Sequence, residues 1–180
     1  MNVRMFGFVI LLIGWGLFAS VDSDADIIYW DGIDRLSWAD FEAEPRMDIV
    51  NFYALTSSGI IDYKGCKDGV ITYKFRAYFE KDESWVKQEA ITDYHLAHEQ
   101  LHFDITELYA RKLRKLLSEL EFKCGQEKDF ERFVAATLEN WYNEQRNYDI
   151  MTRHSLNKDQ QREWQYRIKM ELSLLDNYAE

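Results

Sequence analysis

The chain has 180 residues and a formal net charge of −10, with 32 acidic against 22 basic side chains. The length is enough for one domain with its own core. The acid excess argues against nucleic acid and anionic membrane surfaces as partners, while leaving room for basic peptides.

The first twenty residues read as an export signal. Arg4 supplies a positive charge, Met5 to Phe18 is an apolar run of fourteen residues, and Ala19-Ser20 offers small residues at a cleavage point. The run is shorter than the about 20 residues of a membrane-spanning helix, although an uncleaved anchor is the alternative. No cysteine stands directly after it, which disfavours a lipid anchor. Residues 21–180 then form a single domain in the periplasm or outside the cell.

Residues 27–83 are expected to be rich in β-structure. Ile71, Tyr73, Phe75, Ala77 and Phe79 alternate with Thr72, Lys74, Arg76 and Tyr78, the period of a strand with one buried face. Phe52 to Tyr63 is a second strand candidate. The link Lys64-Gly65-Cys66-Lys67-Asp68-Gly69 suits a hairpin. Trp30, Trp38 and Phe41 are expected to pack the start of the domain, and the single proline, Pro45, marks a loop.

From Ser84, a plausible N-cap, the period becomes helical. One helix is expected to reach about Phe122, with Gly125 as its stop signal. A second is expected over 127–146, burying Phe130, Phe133, Val134, Thr137 and Trp141. A third, over 158–177, buries Gln161, Trp164, Ile168, Leu172 and Leu175, with Asn157 and Gln160 in capping-box spacing. The fold class is α+β: an N-terminal antiparallel sheet packed on a helical part. Cys66 then lies in a turn and Cys124 just past the first helix. An oxidising compartment favours their pairing, but spacing alone leaves it open.

The first helix carries His98-Glu99-Gln100-Leu101-His102, an H-E-x-x-H pattern. Residues four apart on a helix are offset by about 40° and about 6 Å, so both imidazoles can share one metal ion. Glu99, about 100° around from His98, can reach a metal-bound water. The stripe Tyr94, Ala97, Leu101, Ile105, Leu108 and Tyr109 turns the histidines inward. Buried imidazoles need partners, which a metal or the core itself would have to supply. Three of the four histidines fall between positions 95 and 102. His95 is about 10 Å along the axis from His102, too far to share an ion with both others. It could line the cleft instead. For the third ligand, His154 ranks ahead of the carboxylates Glu139, Glu144 and Asp149.

The runs Leu96–Ile105, Tyr148-Asp149-x-x-Thr152-x-His154 and Gln161-x-x-Trp164, with Leu36-Ser37-Trp38-Ala39-Asp40-Phe41, resemble a bacterial family catalogued as domain of unknown function family 922. The resemblance implies a secreted, zincin-like, zinc-dependent protease with His98, His102 and His154 as ligands. The chain departs from the family pattern at Ser155, where glycine follows the histidine.

The expected chemistry is hydrolysis of peptide bonds, with Zn2+ held by His98, His102 and His154 and with Glu99 as general base. Tyr148 or His95 could assist the oxyanion, and Asp104 could orient an imidazole. A peptide substrate could add as a strand along 70–79. The alternatives are a zinc-binding exported protein without catalysis, a cell-wall amide hydrolase, and an exported interaction module without metal.

Overall fold

The alternating run at 71–79 becomes an inner strand of an antiparallel sheet. A computed structural model describes residues 2–8, 26–48 and 52–180. Its strands are β1 (Asn2–Phe8), β2 (Ile27–Tyr29), β3 (Ala54–Leu55), β4 (Ser58–Lys67), β5 (Val70–Glu80) and β6 (Trp85–Val86). The main sheet has the order β1-β4-β5-β2, and β3 pairs with β6 in a separate ribbon. Three helices pack against the sheet: α1 (Asp93–Ser118), α2 (Glu127–Thr152) and α3 (Lys158–Leu174). The class is therefore α+β.

β1 belongs to the stretch read as a leader; its backbone pairs with β4 from Asn2↔Lys64 to Phe8↔Ser58. Residues 9–25, which hold most of the apolar run and the Ala19-Ser20 point, lie outside the described residues. Among the described residues no helix is long and apolar enough to cross a membrane.

The β4–β5 turn is tighter than the expected six-residue link. Asp68 and Gly69 have φ of 52° and 81°, and Lys67 pairs with Val70. Positive φ at both central positions is the two-residue hairpin turn whose twist matches that of the strands, so the ladder runs on through Cys66. Cys66 is thus on a strand, and it is bonded to Cys124 with the Cα atoms 5.9 Å apart. The segment around Cys124 returns to β5: Ile71 N donates to Phe122 O at 2.8 Å, and Cys124 N to Gly69 O at 3.0 Å. With β2 on Tyr78–Glu80, Trp30 N on Ala77 O and the Arg114 guanidinium on Phe75 O, it takes up the side of β5 not paired with β4 at both ends and near the middle. This corrects the expectation of a substrate strand along 70–79, because β5 lies inside the sheet order and offers no continuous free edge over that range.

α1 starts eight residues later than expected, with its cap at Thr92 in place of Ser84. Ser84 is not its cap: its hydroxyl donates to Glu80 O and accepts from Ser57 N, tying β5 to the start of β4. Residues after it form β6 and a single 3-10 turn, Gln88–Ala90. The N-cap is Thr92, whose Oγ1 accepts from His95 N at 3.2 Å. α2 runs six residues beyond the expected end, to Thr152, so Tyr148 and Asp149 stand on helix. α3 is capped by Asn157, whose side chain accepts from Gln160 N.

α1 lies between the sheet on one side and α2 and α3 on the other. Every residue from His98 to Arg111 is buried, so its buried surface is wider than a single stripe. Ile105, Leu108 and Leu113 are fully enclosed, each contributing about 1.5–3 kcal/mol relative to exposure. Trp30 and Trp38 pack against this core and Phe41 lies within it. Phe133, expected in the core, is 42% exposed; it rests edge-on against Phe122 at the margin, 5.6 Å between centroids.

Candidate metal centre

His98 and His102, one turn apart on α1, both aim Nε2 at a single oxygen. Asp149 Oδ1, from the last turn of α2, lies 3.2 Å from His98 Nε2 and 3.1 Å from His102 Nε2. The three side chains are buried, and one ligand atom from each lies within 4.8 Å of the others, so the group could hold a metal ion. His154, in the turn after α2, has Nδ1 3.4 Å from the same oxygen, and its side chain is 38% exposed. In a tetrahedral site with bonds of about 2.0–2.1 Å, neighbouring donors stand about 3.3 Å apart. The spacings around Asp149 Oδ1 match that edge, and two or three imidazoles with one carboxylate are a suitable donor set.

The far sides of both rings are anchored. His102 Nδ1 is 2.7 Å from Gln145 Oε1. The Gln145 amide donates to His102 O at 2.9 Å and to Thr106 Oγ1 at 3.1 Å, so its oxygen must face the ring. His98 Nδ1 is 2.9 Å from Gln161 Oε1, which also accepts the Tyr148 hydroxyl at 2.9 Å. A ring that donates from Nδ1 to an amide oxygen turns its Nε2 toward the centre. Such outer partners orient metal-binding histidines.

The centre is electrostatically coupled. Burial alone would depress the His102 imidazole, but the charge of Asp149, its hydrogen bond and the charge of Glu99 outweigh this and raise it to about 9. Burial would raise Asp149, but the charge and hydrogen bond of His102, with the hydrogen bonds of His154 and His98, hold it well below the usual carboxylate range. Without metal, the pair is an imidazolium bound to a carboxylate.

A cleft opens onto the centre, lined by Phe52, Thr56, His95, Glu99 and the donors. Glu99 is buried; its Oε2 accepts the Thr56 hydroxyl at 2.8 Å. His95 also lines this cleft, with Nδ1 3.1 Å from Ala90 O, so that nitrogen carries the hydrogen.

The structure brings together His98, His102 and one of the rival carboxylates, Asp149, with His154 at the rim. Glu139 is exposed on α2, and Glu144 is ion-paired with Arg167. Two supporting roles read from sequence are corrected. Tyr148 lies behind the histidines, its ring stacked on His98 at 4.5 Å and its hydroxyl engaged by Gln161, so it does not line the cleft. Asp104 touches no imidazole: it accepts from Trp30 Nε1, Arg35 and Gln100. Two residues after His102, it points to the other side of α1. Gln145 and Thr56 were missed, and Gln161 was read only as a core residue. Gln145 and Asp149 are four apart, which puts them on one helical face, the signal that could have found Gln145.

Residues 76–155, from the end of β5 to the turn after α2, match a family model described as a bacterial protein of unknown function (DUF922). The match contains His98, Glu99, His102, Asp149 and His154. No curated protein matches the chain, and no solved structure does.

Proposed function

We propose that the protein is an exported zinc-dependent hydrolase that cleaves peptide bonds, with Glu99 as general base. One observation carries this reading: a carboxylate, Glu99, shares a cleft with a buried group of donors suited to a metal ion. Zinc fits nitrogen and oxygen donors in this arrangement, and when bound it would supply Lewis acidity, polarising a carbonyl and making a water acidic near pH 7. Of the two carboxylate oxygens of Glu99, Thr56 engages Oε2, which leaves Oε1 to take a proton from that water and pass it to the leaving amine. His95, with Nδ1 committed to Ala90 O, keeps Nε2 for a substrate group. The Cys66–Cys124 bridge is consistent with an oxidising compartment, which supports export.

The test compares the zinc-loaded chain with its Glu99→Gln variant on a peptide library and on peptidoglycan fragments. The expected result is peptide cleavage by the first, and retained zinc without cleavage in the second. Activity confined to peptidoglycan would move the assignment to a cell-wall amide hydrolase. Stoichiometric zinc with neither activity would leave a zinc-binding protein without catalysis.

A further inference from the structure

The turn after α2 holds three consecutive non-glycine residues with positive φ: Arg153 at 50°, His154 at 50° and Ser155 at 71°. L-residues avoid this region because Cβ crowds the following carbonyl oxygen, and such a run persists only where its surroundings enforce it. Local hydrogen bonds supply part of the constraint. His154 N donates to Asp149 O at 3.0 Å, and Asn157 N to Thr152 O at 2.7 Å. A further bond comes from a distant part of the chain. Tyr94, in the first turn of α1, donates its hydroxyl to Ser155 O at 2.6 Å, across 61 residues of sequence. Ser155 is buried, while the His154 ring it follows packs against Phe52 with centroids 4.5 Å apart. Lys158 Nζ lies over the Tyr94 ring at 5.2 Å, bracing it against the start of α3.

We propose that Tyr94 is a positioning residue: its hydroxyl holds the left-handed turn closed and so keeps the His154 imidazole within reach of the Asp149 centre. This rests on the zinc reading above. Without the hydroxyl, Ser155 O loses its tie to α1, and the turn is free to relax toward ordinary backbone angles. His154, already partly exposed, would then swing away from Asp149. His98 and His102 would keep their places, because Gln161 and Gln145 hold them independently of this turn.

The test measures zinc affinity by chelator competition, with cobalt(II) absorption reporting the donor set, for Tyr94→Phe, His154→Ala, Ser155→Gly and their combinations. Thermal melting checks that each variant is folded. Tyr94→Phe should weaken zinc by about tenfold, the scale of one lost hydrogen bond. It should add nothing in the His154→Ala background, because it acts through that ring. Ser155→Gly should restore affinity to Tyr94→Phe, because glycine adopts positive φ without the steric cost. Wild-type affinity in Tyr94→Phe would overturn the proposal, as would an undiminished loss in the His154→Ala background or a failure of glycine to rescue. A chain that binds zinc but cleaves nothing defeats the hydrolase reading and leaves this test intact, whereas one that binds no zinc defeats both.

Discussion

Gln145 grips His102 twice. Its amide oxygen takes the ring Nδ1 at 2.7 Å, and its amide nitrogen donates to the backbone carbonyl of the same histidine at 2.9 Å. One side chain on α2 therefore sets both the tautomer of a candidate ligand and the position of the helical turn that carries it. Gln145→Met keeps much of the volume and removes both bonds. Zinc affinity should fall by about 10–100-fold, the usual effect of losing an outer partner. A variant that binds zinc like the wild type would show that the ring is oriented by packing alone.

Glu99→Gln separates holding a metal from using it. The amide can still accept the Thr56 hydroxyl, but it cannot take a proton. Zinc content should remain unchanged while kcat falls by at least about 100-fold, the lower range for loss of a general base. Equal turnover in the two proteins would remove Glu99 from the mechanism.

The His102–Asp149 pair makes the metal-free protein sensitive to pH. His102 is raised in the fold from 6.5 to about 9. Its contribution to stability is therefore complete below about pH 6.5 and is lost as pH rises through about 9. Asp149 is lowered from 3.8, so its contribution is present above that value and is lost as acid approaches its depressed folded value. With chelator present, the melting temperature should decline between pH 6.5 and 9 and again in strong acid. Zinc competes with the same proton, so its affinity should climb over the alkaline window. Melting temperatures that rise from pH 6.5 to 9 in chelator would contradict this pairing.

The disulfide should matter to stability and little to the centre. It links residues 58 apart in sequence, a loop whose closure is worth about 4 kcal/mol in the chain-entropy account. Cys66 stands toward the end of β4 opposite Ser58, about 26 Å along the strand at about 3.3 Å per residue. Replacing both cysteines by serine should lower the urea midpoint clearly and leave zinc affinity within about twofold of the wild type. A comparable loss in both measurements would mean that the sheet end and the metal centre are mechanically coupled.

The legible parts of this protein were those written in short-range periodicity. Alternation at 71–79 marked β5, and the four-residue step from His98 to His102 marked a shared helical face. Asn157 with Gln160 marked the start of α3. Helix ends were harder. Ser84 and Thr92 are both competent caps, and the choice went to Thr92 because 85–86 pair with β3. The end of α2 mattered more. Six further helical residues carried Asp149 onto the face that meets His98 and His102, and left His154 in a strained turn at the rim.

Sequence alone determined that two imidazoles and an acid share one turn of one helix, because α-helical geometry places residues at i, i+1 and i+4 irrespective of the rest of the chain. It also determined the alternating strand and the acidic balance. Only the tertiary structure decided which carboxylate meets the imidazoles, which amides fix their tautomers, and which strand is shut inside the sheet. Those relations depend on how α2, α3 and the hairpin dock around α1, which is set by packing across tens of residues and by no local spacing.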